Sequence, residues 1–338
     1  MSLRRFIYFV TDNAKRGNFL LRRINMSRFF LPNGESDPPP LEEGRLPPAD
    51  MAFEPPSRDG YRDLQFMLFA GGSSGRNKVF FTDLLGRAAF YDPEASSIRI
   101  LSCLTGPKFA PISLTVGNKL YVLDMNTTAL NNHNRSFEEL SYTKDWFCQP
   151  LPPPYYLQNY VPDFGAADVT SYAVVGGSSI WLSRTNVGTY SFDTVSRVWS
   201  MVGDWALPFC GHAQYVPEHN LWFGVPAPSN DSDDEADGVL CSSDLNAAPP
   251  TVVSLFCEPT PREWITKSSY LVHLGRSRFC HVRFFHFLDT TIEHCYRRCA
   301  VLTGIEVERC KEAGGKLVAV KHISKQYNLG DKHRHWVL

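Results

Sequence analysis

No run of this sequence approaches the roughly eighteen consecutive apolar residues that a membrane-spanning helix requires. Near the start, the apolar stretch Phe6–Val10 stops short of Asp12, too brief for the core of a secretory signal. The opening MSLRRFIYFVTDNAKR is therefore expected to form a strand. Charge of one sign is lacking as well. The 34 Lys and Arg against 35 Asp and Glu leave a net charge of −1, which exerts no long-range pull on nucleic acid or anionic membrane. Cysteine is sparse and odd in number, nine in 338 residues, which is not the density of a disulfide scaffold. Catalytic fingerprints are missing too: there is no Gly-x-Ser-x-Gly elbow, no Walker loop and no His-Glu-x-x-His. Four Asn-x-Ser/Thr triplets, at Asn25, Asn126, Asn134 and Asn230, carry little weight without an export signal. These absences lead to the expectation of a monomer in the cytoplasm or nucleus, with no membrane or nucleic-acid partner. No catalytic, cofactor-binding or metal-ligating residue is assigned.

What is present is strand grammar. Residues 176–203 (GGSSIWLSRTNVGTYSFDTVSRVWSMVG) hold three short apolar runs separated by Arg184-Thr185-Asn186 and Asp193-Thr194-Val195-Ser196. Turn residues in a β-branched and aromatic background predict consecutive antiparallel hairpins, with too little chain between breaks for helices. The same grammar predicts strands over Arg5–Val10, Asn18–Ile24 and Arg28–Leu31, and again from Gln65 to the end of the chain. Residues 32–56, rich in proline and acid, are expected to form an extended surface loop, because proline removes donors and disfavours helix.

The unit recurs. Phe80, Tyr121, Trp181, Trp222 and Cys280 occupy equivalent places in successive strands, at steps of 41, 60, 41 and 58 residues. Each long step contains an insertion, 143–165 in one and 229–238 in the other. In a second register, Tyr91-Asp92 precedes Ile98 at the same distances as Phe192-Asp193 precedes Trp199. Hairpins around Tyr8 add a sixth unit, with 72 residues to Phe80. Four-stranded units of about 40–50 residues that cannot cover their own faces predict a six-bladed β-propeller across 1–338, with a β-sandwich as the alternative. Runs such as LYVL, IWL and LWF suit sheets buried on both faces. The first unit lacks a strand before Arg5, and only the tail Lys332–Leu338 is left to supply it.

The units resemble degenerate Kelch repeats: Phe192-Asp193…Trp199 is similar to the Kelch tyrosine–aspartate–tryptophan pattern, and KLYVLD and NLWFGV look like its aromatic inner strand. Gly71-Gly72 and Gly176-Gly177 depart from that pattern by preceding the inner strand, and one unit alone keeps the late tryptophan. Nearly the whole chain resembles an uncharacterised plant, mainly grass, family of propeller-like proteins. The resemblance rests on RRFIYFVTDNAKRGNFLLRRINMSRFF, VFFTDLLGRAAFYDPEASSI and AVLTGIEVERCKEAGGKLVAVKHISKQY. That family implies no activity. Kelch relatives often carry an F-box ahead of the propeller, and with strands expected from Arg5 onward no such module is expected in these residues.

Candidate sites fall in the insertions and the late Cys/His-rich segment. In the acidic run Asp231, Asp233, Asp234, Glu235 and Asp237, the residues Asp233, Glu235, Asp237 and Gly238, with Leu240 and Asp244, imitate part of a calcium loop, but proline-rich and strand-like flanks favour a solvated loop. Cys295 and Cys299 have zinc-pair spacing, and His281 and His286 could complete a set. Residues five apart on a strand point to opposite faces, so these cysteines and histidines are expected to be core and surface residues, with 294–299 a loop or a turn of helix. Gly71–Gly75 and Gly176–Ser179 are expected to be turns, and the pairs Arg4-Arg5, Arg22-Arg23 and Arg297-Arg298 to fringe strands. The function expected is a non-catalytic protein-interaction module. Its contact surface is placed on the aromatic segment 146–164, with Trp146, Phe147, Tyr155, Tyr156, Tyr160 and Phe164. The alternatives are an enzyme or metal-binding propeller with its site at the central channel, a substrate adaptor of a ubiquitin ligase, and an aromatic segment that folds back as a lid.

Overall fold

A computed structural model of the protein describes residues 3–32, 38–55, 63–71, 76–102, 104–125, 135–142, 145–154, 169–228, 238–288, 296–310 and 315–338. The first hairpin joins β1 (Phe6–Asn13) to β2 (Asn18–Asn25), a 3-10 turn spans Met26–Phe29, and β3 (Glu42–Gly44) and β4 (Met51–Phe53) follow. Next come β5 (Leu64–Phe69), β6 (Lys78–Asp83), β7 (Ala88–Asp92) and β8 (Ser97–Ile100). Then β9 (Pro111–Val116), β10 (Lys119–Asp124), β11 (Phe137–Tyr142) and β12 (Trp146–Pro150). The third set is β13 (Ser171–Val175), β14 (Ser179–Arg184), β15 (Gly188–Asp193) and β16 (Val198–Gly203). After it run β17 (Phe209–Val216), β18 (Leu221–Pro226), β19 (Gly238–Ser243) and β20 (Val252–Cys257). The chain ends with β21 (Trp264–Gly275), β22 (Arg278–Leu288), β23 (Tyr296–Cys310), β24 (Lys316–Asn328) and β25 (His335–Val337). Two compact units result, one of Met1–Phe53 with Pro208–Val337 and the other of Glu54–Leu207.

In the second unit, β5–β8, β9–β12 and β13–β16 are each antiparallel meanders of four strands. In the first unit, β17–β20 and β21–β24 repeat that plan. A further four-stranded sheet has the order β25-β1-β2-β4. There Phe9, Val10 and Thr11 pair with Val337, Trp336 and His335, so the tail supplies the strand that the N-terminal hairpin lacks. Asp12 holds the incoming chain: its carboxylate accepts from the backbone N–H groups of His333 (2.8 Å) and Arg334 (3.0 Å). Tyr8, Phe80, Tyr121, Trp181, Trp222 and Cys280 all lie in the second strand of their sets of four, counted from β25 in the first, which is the register that the repeat spacing predicts.

Turn chemistry explains that regularity. Asp92 and Asp193 each end a third strand, and each side chain accepts two backbone N–H bonds from the turn that follows, Glu94 and Ala95 in one, Val195 and Ser196 in the other. Ser96 (φ 49°) and Arg197 (φ 61°) then take the left-handed position, and Tyr91 and Phe192 come to face Ile98 and Trp199 across the hairpin.

Packing makes the middle sheet of each unit two-faced. Leu120, Val122 and Leu140 join Met67, Phe69, Phe80 and Phe90 from β5–β7. Their neighbours in the chain, Tyr121 and Leu123, together with Phe137 of β11, join Ile180, Leu182 and Phe192 from β14 and β15. Likewise Cys280, Val282 and Phe284 pack with Ile7 and Phe9, whereas Phe279 packs with Phe223 and Val225. Period-two alternation thus sends each strand's side chains into two different cores.

Charge follows the same alternation. Glu138 and Glu139 stand side by side in β11, and both are buried. Glu138 pairs with Lys108, which is wholly buried and whose ammonium also donates to the carbonyls of Gly106 (3.0 Å) and Arg135 (2.9 Å). The Glu138 carboxylate accepts further from Thr105 N–H (2.9 Å) and Cys148 Sγ (2.6 Å). Glu139, on the opposite face, takes Lys119 at 2.9 Å and the hydroxyl of Tyr121 at 3.1 Å.

Several expectations need correction. Residues 32–56 are not loop throughout: β4 pairs with β2, and β3 runs parallel to β24. The anchors are Arg23, whose guanidinium meets Asp50 at 2.7 Å, and Arg22, whose Nε donates to the Pro47 carbonyl at 3.1 Å. Arg22 and Arg23 therefore stand on the interior strand β2 and hold the edge strand β4 against it. Arg28–Phe29 belongs to the 3-10 turn, because the Asn25 side chain accepts from Ser27 N–H (3.1 Å) and breaks the strand. Phe29 then presses its carbonyl onto Gly304, where a Cβ would lie 2.3 Å from that oxygen; glycine is needed there for close approach. Tyr296–Cys299 opens the long strand β23, although a loop or turn is expected over 294–299.

Removing one partner of the buried pair should be far costlier than removing both. Lys108→Met is expected to destabilise by about 3–5 kcal/mol in urea unfolding, and adding Glu138→Leu should recover much of that loss. Ser96→Gly, at an exposed left-handed position, should stabilise by about 1 kcal/mol in the same measurement.

Candidate functional site

Residues 26–32 leave the sheet as a turn, and that departure opens a cavity of about 480 Å³ in the first unit. Leu3, Met26, Phe30, Leu31, Pro32 and Leu274 form its apolar walls, and Arg4, Arg5, Arg278 and Ser27 supply the polar groups. The walls are tied in place. Arg4 N–H donates to the Leu274 carbonyl (2.6 Å), and its Nε donates to the Phe6 carbonyl (2.8 Å). Leu31 N–H donates to His322 Nδ1 (3.2 Å), and the Phe30 ring stands 5.1 Å from the His322 ring. Arg278 lies 4.8 Å over the Phe30 ring and donates through Nε to Glu306 (3.0 Å). Burial lowers the pKa of Arg4 to about 10, which leaves it charged at neutral pH. The cavity is thus cationic on one side and apolar on the other.

The six aromatic residues expected to form a contact surface are divided by the structure. Trp146 begins β12 and is buried against Phe69 and Phe90, with ring centroids 5.4 and 4.5 Å away. It is a core residue. Phe147, next along the same strand, is 55% exposed, because alternation turns it to the other face. Tyr155, Tyr156, Tyr160 and Phe164 lie outside the described residues.

The late Cys/His-rich segment also separates. His281 is buried and bonds Ser269 Oγ through Nε2 (2.6 Å), whereas His286 lies on the opposite face of the unbulged β22–β23 ladder. Cys299 is buried in β23, where burial pushes its thiol up to about 12, and Cys295 is outside the described residues. Among the described residues no three His, Cys, Asp or Glu side chains converge as a metal site would require. The run 231–237 lies outside them. Two further serine–histidine contacts occur, Ser277 with His219 (2.8 Å) and Ser268 with His335 (2.9 Å). Among the described residues none of these three histidines donates its second ring nitrogen to a carboxylate, the contact that orients a catalytic base.

Sequence reasoning missed the cavity. Arg4-Arg5 carried the available signal, since a basic pair ahead of a buried strand can mark a strand end that faces a pocket. Nothing near them in sequence points to Leu274 or Arg278.

These observations describe an all-β protein of four-stranded antiparallel meanders, with a cationic, apolar-walled cavity. By sequence, residues 4–327 match the family described as protein of unknown function (DUF1668), and the chain belongs to that family. No curated protein matches it. Among solved structures it is similar to an auxiliary nutrient binding protein from Bacteroides ovatus, at 11% identity and TM-score 0.41, over 85% of this chain and 70% of that one. It is also similar to a protein of unknown function from Bacteroides thetaiotaomicron, at 10% identity and TM-score 0.39, over 88% and 84%. A third is the Myceliophteria thermophila Cps50 (Swd1) β-propeller domain, at 9% identity and TM-score 0.41, over 95% and 93%.

Burial depresses the histidines and sets a pH dependence. His281 is lowered to about 3 by burial and then by Arg283, and His335 to about 4, chiefly by burial. The unfolded chain takes up these protons near 6.5, so between about 3 and 6.5 it binds more protons than the native state. Stability is therefore complete above 6.5 and falls as pH drops through this window. Urea midpoints measured from pH 8 to 4 should decline in that direction, and His281→Asn should flatten the decline.

Proposed function

We propose that this chain is a six-bladed, Kelch-like β-propeller that serves as a non-catalytic protein-interaction module, a monomer in the cytoplasm or nucleus. Support for six blades comes from the recurrence of the repeat position in the second strand of each meander. The pairing of β25 with β1 supports ring closure, since it joins the two ends of the chain in one sheet. The Asp193-to-Trp199 hairpin supports the Kelch likeness, as does the sequence resemblance to the plant family.

The observation that carries the interaction reading is the exposed aromatic edge of β9–β12. Phe147, in the edge strand β12, is 55% exposed, and Tyr142, at the end of β11, is 45% exposed; among the described residues no further strand pairs with β12. Aromatic side chains at such an edge bring large contact area at low entropic cost. The contact surface continues, in this reading, into 155–164 with Tyr155, Tyr156, Tyr160 and Phe164. Trp146 is its buried footing.

Affinity capture followed by mass spectrometry, with wild type beside a variant carrying Phe147, Tyr155, Tyr156 and Tyr160 all changed to alanine, tests this. The variant should melt within a few degrees of wild type and lose the captured partner. A loss of about 10 °C or more in melting temperature would instead mean that these rings fold back as a lid on their own sheet.

A further inference from the structure

We infer that the cavity between the start of β1, the 26–32 turn and the β21–β22 hairpin binds a small amphipathic organic acid, with one carboxylate carried on a compact apolar body. The inference concerns the first unit and does not depend on the protein-interaction reading.

Three observations carry it. The volume of about 480 Å³ lies within the range of small-molecule sites, which run from about 300 to 1,000 Å³. Six of these ten lining residues are apolar, and among the described residues no carboxylate lines the cavity to repel an anion. Donor capacity is also left over. Arg278 spends Nε on Glu306 and its face on Phe30, and among the described residues its two terminal nitrogens hold no hydrogen bond. Among the described residues the Arg5 side chain makes only a ring contact, 5.1 Å over Phe6. A guanidinium offers a planar fork that matches a carboxylate, and a cavity wall strengthens that bond by excluding water.

The remaining geometry says how such a ligand is oriented. Its carboxylate sits toward Arg5 and Arg278, and its body toward Met26, Leu31 and Leu274. An ion without an apolar body would leave those walls hydrated, and an apolar molecule without charge would leave the arginine donors unused. Neither alone satisfies the site. Arg278 also remains neutralised by Glu306, which prevents the empty cavity from holding a fully uncompensated cation on that side.

Titration calorimetry on the full chain with hexanoate, 1-hexanol, acetate and inorganic phosphate tests the assignment. Hexanoate should bind with a dissociation constant at or below about 1 mM, and each of the other three should bind at least about tenfold more weakly. Arg5→Glu, an exposed change expected to leave the melting temperature unchanged, should weaken hexanoate by about tenfold or more, and higher salt should weaken it in wild type. Arg278→Lys, which keeps the charge but not the fork, should weaken it by a smaller factor. Equal binding of hexanol and hexanoate would overturn the proposal in favour of an apolar pocket. Tighter binding of phosphate would overturn it in favour of a plain anion site. Absence of heat from hexanoate up to about 10 mM with folded protein would overturn it outright.

Discussion

A four-stranded antiparallel sheet that is apolar on both faces cannot stand in water, and that constraint governs this protein. Leu120 and Val122 require cover on one side of β10, and Tyr121 and Leu123 require it on the other. Cys280 and Phe279 pose the same demand on β22. Each unit meets it by stacking meanders face to face, so that the central one contributes to two cores. The meander is thus the element of local folding, but stability resides between meanders. The same logic explains why a three-residue segment at the far end of the chain is retained as β25. Without it β1 would present an unpaired edge beside a buried hairpin.

Two-faced burial extends to charge. Adjacent residues on a strand face opposite ways, so Glu138-Glu139 places one carboxylate in each of two cores. Each must find its own cation. Lys108 answers for Glu138 with no exposure at all, and Lys119 answers for Glu139 from the surface. Cys148 is drawn into the first of these networks, where burial and then Glu138 push its thiol well above the usual range. Those polar residues belong to packing. The cavity beside the 26–32 turn is different in kind, since Arg5 and the terminal nitrogens of Arg278 keep donors that no described residue takes.

Much of this was legible in the residues themselves. Asp92 and Asp193 announce turns because a short carboxylate reaches the backbone N–H groups two and three positions on, and the apolar runs between turns have strand length and composition. Repeat spacing then aligned the second strands correctly from Tyr8 to Cys280. Other features were not legible. β3 and β4 are three residues each, too short for any period; β4 is held where Arg22 and Arg23 reach across to Pro47 and Asp50, and β3 where Glu42 meets Lys325 at 2.9 Å. β12 sits inside what reads as an insertion, and its Trp146 reads as a contact residue until Phe69 and Phe90 are seen to enclose it. The 3-10 turn follows from one side chain, Asn25, that also suits a strand end.

The sequence by itself determined the all-β class, the hairpin grammar and the register of the repeat, because turn preference and period-two alternation act over a few residues. Tertiary structure alone decided which alternate residues met in a common core, which carboxylate found which cation, and which arginines came to line a cavity. Those outcomes depend on contacts between segments as distant as Arg4 and Leu274, or Asp12 and Arg334, and no local preference encodes them. Residues 176–203 mark the division: their own turns specify a hairpin series, whereas the burial of Ile180, Leu182 and Phe192 rests on Tyr121 and Phe137 in a neighbouring meander.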